Sequence, residues 1–432
     1  MAKLFEVKEF DRITGNSEFQ DYDGYKYIEE PYFNCLTDFI KEFTAGEEQS
    51  DVLDFMCISY RRNIGDIVTI RNYVGLIQMR NGCQIQVLPK INLGNKADAD
   101  NAETKRIFLK MLKSMKDFPS KVFSDANIRV DKMNMYEIFI NMYLQEVRQL
   151  VKKGIKSSYV ELEDNLRYYR GKLLTNQHIK QNMSHRERFY MSYDEFNPDI
   201  SENRIVKATL QKLQQLTTSA ENSKEISQLL NYFDGINPSI NHDKEFARIK
   251  MDRSMEDYIT LMQWSRVFLQ NKSFTTFSGR TVSRALLFPM EKVFESYVAQ
   301  NLRKIMGKDG WETTVQDKGF YLFTEPYKQF ALRPDIVCRK GNRTVILDTK
   351  WKNLTDNYRI NYGIQQADMY QMYAYSKKYK TSEIWLLYPT NKEMEGLPEI
   401  KFESGDDTVV RLHFVDVADI EESLDNLRKK LV

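Results

Sequence analysis

The stretch that most constrains this chain is Leu332 to Lys352, L-R-P-D-I-V-C-R-K-G-N-R-T-V-I-L-D-T-K-W-K. Two runs rich in β-branched residues, Asp335 to Arg339 and Thr344 to Lys350, flank Gly341-Asn342, the composition of a two-residue hairpin turn. With that turn, Lys340 faces Arg343, Arg339 faces Thr344, and Asp335 falls opposite Asp348. Opposed side chains share a face with Cβ atoms roughly 4.5 to 5.5 Å apart. Lys350 lies on the same face by the period of two, while Thr349 points away. Two opposed aspartates repel, so they call for a bridging cation or a raised pKa. Mg²⁺, held by one or two carboxylates plus waters and a phosphate oxygen, suits them, and Mn²⁺ has the same ligand chemistry. A neighbouring lysine can orient or deprotonate an attacking water and stabilise charge building on a phosphate.

Two predicted helices carry candidate supporting residues. In the segment from Pro289 to about Met306, Glu295 borders the apolar stripe of Leu286, Met290, Val293, Phe294, Tyr297 and Leu302, with Glu291 one turn earlier. Either glutamate could supply a third carboxylate, as a ligand or from the shell around the ion. In Q-Q-A-D-M-Y-Q-M-Y-A-Y, Gln366 and Tyr370 stand at i and i+4, with Tyr373 a turn further, and could project over the same site or simply pack as an amphipathic face.

The rest of the chain divides by pattern. Residues 1–100 read as a β-rich module: Val52 to Tyr60 and Ile67 to Ile70 are strand-like, and Tyr73 to Met79 pairs with Gln84 to Pro89 across Asn81-Gly82. Residues 101–279 are mainly helical, with segments from Ile107, Met135, Ile205 and Met255. Residues 280–432 read as α/β, with strands Gly319 to Phe323, Glu383 to Tyr388 and Val409 to Phe414, a helix from about Ile364 to Lys380, and a closing helix Ile420 to Lys430 that Asp419 can cap. An α+β multidomain protein is expected. No apolar run approaches the roughly 20 residues of a membrane span, and no signal-peptide core opens the chain, so a cytoplasmic protein without membrane contact is expected. Cys35, Cys57, Cys83 and Cys338 form no zinc or disulfide pattern with one another or with the four histidines. A net charge of +2 places any nucleic-acid contact on a local patch or on a partner.

The order helix glutamate, P-D, D-x-K, Q-x-x-x-Y resembles the PD-(D/E)xK nuclease core. More specifically, F-P-M-E-K-V-F-E-S-Y-V, L-R-P-D-I-V, I-L-D-T-K-W-K, Y-G-I-Q-Q-A-D-M-Y-Q-M-Y-A-Y and L-L-Y-P resemble the McrC family, the nuclease subunit of McrBC-type 5-methylcytosine-dependent restriction systems. The likeness extends upstream through N-Y-V-G-L-I-Q-M, V-L-P-K-I, Y-Y-R-G-K-L and S-E-N-R-I-V-K-A-T-L. It implies a C-terminal PD-(D/E)xK domain with a mixed central sheet that hydrolyses DNA phosphodiesters. By the resemblance, Asp335, Asp348 and Glu295 bind metal, Lys350 is the catalytic lysine, Gln366 completes the site, and Tyr370 and Glu291 support it. It also implies a separate McrB-like AAA+ GTPase that binds the GTP, reads methylated DNA and is stimulated by this chain. The absence of a G-x-x-x-x-G-K-[ST] loop agrees. The N-terminal module would then meet the GTPase, with Arg61, Arg62, Arg71 and Arg80 as candidates for that surface, since an arginine supplied in trans can stabilise phosphoryl transfer. Arg167 to Gly171 could touch DNA or pin a turn.

Two other classes compete. Q-x-x-x-Y also occurs in RecB-like repair nucleases that act alone or with another motor, and a chain of this kind could instead be a regulatory and structural subunit that activates a partner NTPase. A GTPase gene beside this one would favour the restriction reading over the repair reading, and intact Asp335, Asp348 and Lys350 count against a purely regulatory chain.

Overall fold

A computed structural model of the chain describes residues 3–20, 22, 24–44, 56–79, 83–92, 101–116, 118–119, 133–249, 255–270 and 282–431. These group into two compact units, one holding the described residues up to 119, 133–135 and from 282 onward, the other those of 136–270. Both mix helices with sheets, as expected of an α+β multidomain chain.

In the first unit, Tyr73–Met79 lies between Gln84–Leu88 and Val282–Pro289, antiparallel to both, and Leu4–Lys8 adds parallel to Gln84–Leu88. Gln84–Leu88 is buried throughout, Gln84 and Gln86 included, so the alternation Q-I-Q-V does not mark a solvent-facing side. The strand Val282–Pro289 comes from the far end of the sequence and pairs through Leu287↔Gly75. Gly75 has φ +143°, and a Cβ there would lie 2.0 Å from the Leu286 carbonyl oxygen, so this close strand approach requires glycine. The expected pairing of residues 73–79 with 84–89 is present, whereas its Asn81-Gly82 turn and Arg80 lie outside the described residues. A second sheet runs Tyr25–Tyr27, Arg12–Thr14, Gly65–Ile70, Met56–Arg61. The last of these is the described part of the strand expected from Val52, residues 52–55 lying outside the described residues. Helix Glu30–Thr44 covers the sheet through Phe33, Leu36, Phe39 and Ile40, which share a core with Ile13, Val68 and Ile70.

The last third of the chain builds a six-stranded mixed sheet in the order Glu312–Val315, Ile336–Lys340, Arg343–Thr349, Glu383–Pro389, Val409–Val415, Lys401–Glu403. The strands Arg343–Thr349, Glu383–Pro389 and Val409–Val415 are parallel neighbours. Helix Gln366–Tyr379 shares a core with Val337, Ile346, Ile384, Leu386 and Val410. The alternate residues Ile336, Cys338, Val345, Leu347 and Leu387 are buried as well, and helix Met290–Gly307 packs near strand Arg343–Thr349 and against Ile420–Leu431. A sheet covered on both faces leaves its functional groups to the strand ends. Pro289 is the cap of its helix and not its first turn, and Asp419 Oδ1 accepts from Glu422 N at 3.3 Å, as its capping role predicts. The strand expected over Gly319 to Phe323 shortens to Tyr321–Phe323 and pairs with Gln329–Ala331 apart from the main sheet.

The second unit contains the expected helices Ser201–Leu216 and Glu256–Gln270 and most of Met135–Lys153, whereas the one containing Ile107, Asn101–Leu112, belongs to the first unit. The second unit also holds an antiparallel sheet of Ser158–Leu166, Phe189–Asn197 and Lys172–Leu173. Alternating charged and apolar residues in Ser158–Leu166 give that strand its period. Of the two readings of Arg167 to Gly171, the turn is the one with contacts to support it. The Arg170 guanidinium lies 4.2 Å from the centroid of Tyr193, and Gly171, at φ +76°, comes so close to Ser192 that a Cβ would lie 2.3 Å from its carbonyl oxygen.

Among the described residues no helix is long and apolar enough to cross a membrane.

Candidate active site

The hairpin forms in the register its sequence dictates. Lys340 pairs with Arg343, Arg339 with Thr344 and Ile336 with Leu347, and Gly341 takes φ +56° at the turn. The ladder ends at Ile336↔Leu347, and extending its register by one residue sets Asp335 opposite Asp348. Lys350 follows on the Asp348 side, its amide held by the Leu387 carbonyl at 2.9 Å. Its Nζ lies 2.6 Å from Asp348 Oδ2. Apart from that ion pair, Asp348 Oδ2 is buried with no other hydrogen-bond partner among the described residues.

Glu295 enters from helix Met290–Gly307, and Gln316 ties it to the hairpin: Gln316 Nε2 donates to Glu295 Oε1 and, at 3.4 Å, to Asp335 Oδ1. Gln316 adopts φ +51°, an unusual conformation for a residue other than glycine, and its amide N bonds the Asp335 carbonyl oxygen at 2.9 Å. Thr349, expected on the far face, donates to Asp335 Oδ2 from both its amide (2.8 Å) and its hydroxyl (2.7 Å). Asp335 precedes the first residue of its strand, so its carboxylate is outside the pleat and can reach the end of the partner strand.

Burial raises the proton affinity of all three carboxyls. For Asp348, burial acts first and repulsion from Asp335 second, against the pull of Lys350. Glu295 follows the same order of burial and then Asp335 repulsion. At Asp335 burial outweighs the opposing hydrogen bonds from Thr349. Burial lowers the Lys350 value, but the combined attraction of Asp348, Asp335 and Asp368 exceeds it, and the ammonium is held more firmly than usual.

The amide and phenol that reach this cluster are not the expected pair. Gln366 is the first residue of its helix and bonds Tyr370 at 2.5 Å on the exposed side, where Tyr370 is 66% exposed. Instead Gln371 Oε1 accepts from Lys350 Nζ at 3.4 Å, and Gln371 Nε2 donates to the Tyr375 hydroxyl at 2.7 Å. Gln371 and Tyr375 repeat the Q-x-x-x-Y spacing five residues later. Five residues turn a helix through about 140°, so the two pairs occupy different faces. The buried stripe of Met372, Tyr375 and Tyr379 is the signal that selects the second pair. Asp368, also unforeseen, lies 4.0 Å from Lys350 Nζ and 3.3 Å from Lys352 Nζ. Glu291 is exposed in the first helical turn, while Glu295, one turn on, is the glutamate tied to Asp335. Replacing Gln371 with Ala should lower any turnover at this site about 10- to 100-fold, as loss of an orienting partner typically does. Gln366→Ala should change it less than about threefold by the same reasoning, and steady-state rates of the two variants compare them directly.

Among the described residues no group of three or more His, Cys, Asp and Glu has the spacing of a preformed metal cage. The donors present are nevertheless those of a hard cation: Asp348 Oδ2, buried against the Lys350 ammonium, and Asp335 Oδ1, whose contact is a long amide bond. Mg²⁺ uses one or two carboxylates and fills its remaining positions with water and phosphate oxygens, so this set fits it.

The family profile of the McrBC 5-methylcytosine restriction system component matches residues 68–389. No curated protein matches the chain. Among solved structures, a chain of the refined half-complex from the tetradecameric assembly of Thermococcus gammatolerans McrB AAA+ hexamers with bound McrC is 23% identical, with a TM-score of 0.69 over 99% of both chains. A chain of the cryo-EM structure of the Thermococcus gammatolerans McrBC complex is 21% identical over 70% of this chain and 88% of that one, with a TM-score of 0.48. The first of these shares the fold described above.

Proposed function

The chain belongs to the McrBC 5-methylcytosine restriction system component family, and from that premise we propose that it is the McrC-type subunit, a metal-dependent DNA endonuclease that works with an AAA+ GTPase of the McrB type. The observation that carries the reading is the convergence of Asp335, Asp348 and Lys350 at the end of one hairpin, joined by Glu295 from a packed helix. That arrangement is what a PD-(D/E)xK nuclease domain requires. The solved complex named for McrB hexamers with bound McrC supplies the partner in this proposal.

In this mechanism Asp335 and Asp348, with Glu295, are the residues that would hold Mg²⁺. The bound ion would supply Lewis acidity to the scissile phosphate and lower the pKa of water. Lys350, kept charged by Asp348, Asp335 and Asp368, orients the attacking water and stabilises charge on the phosphate, and is poorly placed to act as a base. Gln371 fixes the position of Nζ, and Tyr375 fixes Gln371. Thr349 holds Asp335 Oδ2, which leaves Oδ1 as the oxygen that would be available to a metal ion. GTP is bound by the partner. Of the four candidate arginines, exposed Arg62 and Arg71 and also Arg61, whose guanidinium bonds the Tyr25 hydroxyl at 3.0 Å, are the described ones available to it.

The test is cleavage of methylated plasmid by the chain with the partner GTPase and GTP. Cutting should require Mg²⁺ or Mn²⁺ and stop in EDTA. Undiminished cutting in EDTA would reject metal-dependent hydrolysis.

A further inference from the structure

Far from the hairpin in sequence, Glu9 directly follows the strand Leu4–Lys8 and is wholly buried, 0% exposed. Both of its carboxylate oxygens accept from Trp351 Nε1, at 3.0 and 3.3 Å, and Oε2 also accepts from the Lys90 amide at 3.3 Å. Its own amide is fixed to the Leu88 carbonyl at 2.9 Å. Both donors to the carboxylate are neutral N–H groups, and burial raises its pKa to about 7. A carboxyl kept in such a place costs stability that an apolar side chain would not.

What it holds is the residue next to the candidate catalytic lysine. Trp351 follows Lys350 directly, is 3% exposed, and sets its ring 5.3 Å from that of Phe294, the neighbour of Glu295. The indole is thus carried by the neighbour of Lys350 and packs on the neighbour of Glu295. The sheet containing Leu4–Lys8 has a second connection to the same place. Its strand Val282–Pro289 runs straight into the helix that carries Glu295, and Met290 N bonds the Asn72 carbonyl at 2.8 Å.

We propose that Glu9 is a positioning residue for DNA cleavage, acting through the Trp351 indole to fix Lys350 against Asp348 and thereby linking the N-terminal sheet to the cutting site. The inference rests on the nuclease reading above. It assigns the N-terminal region a part in the chemistry besides any contact with the GTPase.

The experiment measures kcat and KM for DNA cleavage and, in parallel, stimulation of the partner GTPase, using the full complex with Glu9→Ala, Glu9→Gln, Trp351→Phe and Asp348→Ala. Glu9→Ala and Trp351→Phe should lower cleavage kcat about 10- to 100-fold with KM and GTPase stimulation within about twofold. Glu9→Gln keeps an acceptor for the indole N–H and should restore cleavage to within about threefold of the unaltered chain. Should Glu9→Ala fail to fold, Trp351→Phe, which keeps the ring packing on Phe294, decides in its place. Unaltered cleavage in Trp351→Phe, or cleavage and stimulation falling in equal proportion, would overturn the positioning role. Asp348→Ala separates the two claims: its loss of cleavage alongside a fully active Trp351→Phe leaves the nuclease site standing, whereas its retention of cleavage removes the nuclease reading itself.

Discussion

Asp348→Ala should reduce DNA cleavage by about 10³-fold or more while leaving DNA binding by the complex and stimulation of the GTPase within about twofold. The size of the effect follows from the position of the residue. Asp348 supplies an oxygen to the proposed Mg²⁺ and is also the nearest anion to Lys350 Nζ, at 2.6 Å, so one truncation removes a ligand and releases the lysine. The selectivity follows from where the change is made. Asp348 is buried at the C-terminal end of a central strand, whereas the arginines proposed for the partner are exposed. Cleavage rates measured beside GTP turnover in one mixture check it, and unchanged cleavage would remove Asp348 from the site.

The same residue should have an opposite effect on stability. Burial and Asp335 raise the Asp348 pKa in the folded chain, so the folded state holds a proton that the unfolded state releases at lower pH. Where the native state binds more protons, stability falls as pH rises. The loss begins at the unfolded carboxylate value and is complete once pH has passed the raised folded value, near 7. Metal-free Asp348→Asn should therefore melt above the unaltered chain at pH 8, by about 3 °C for a relief on the order of 2 kcal/mol. At pH 5 the gap should shrink, because the native carboxyl is then protonated. Mg²⁺ at pH 8 should raise the melting temperature of the unaltered chain and narrow the gap. Calorimetry across that pH range checks the sign, and a variant less stable at pH 8 would mean that the Lys350 pairing outweighs burial. A site that is costly to keep without its ligand is a common compromise between stability and function.

What the sequence reveals of this site depends on how local each relationship is. The opposition of Asp335 and Asp348 follows from a two-residue turn and a period of two, and it is legible without any tertiary knowledge. Thr349 departs from that period because Asp335 lies beyond the pleated segment, where alternation no longer dictates direction. The helix Gln366–Tyr379 contains two overlapping Q-x-x-x-Y pairs, and spacing treats them alike. Packing separates them, because Met372, Tyr375 and Tyr379 face the core and bring Gln371 to Lys350, leaving Tyr370 outward. Gln316 reaches Glu295 and Asp335 only through a left-handed backbone conformation in a loop, which carries no sequence signature when the residue is a glutamine. The joining of Val282–Pro289 to Tyr73–Met79 and of Glu9 to Trp351 spans most of the chain, and no local pattern encodes either.

The most direct test of the whole account is cleavage of methylated and unmethylated plasmid by the purified chain in Mg²⁺, with and without the partner GTPase and GTP. Cutting of methylated DNA only in the complete mixture is the predicted result. Cutting by the chain alone, indifferent to GTP and to methylation, would contradict a partner-driven restriction subunit and place its nuclease site in a free-standing enzyme.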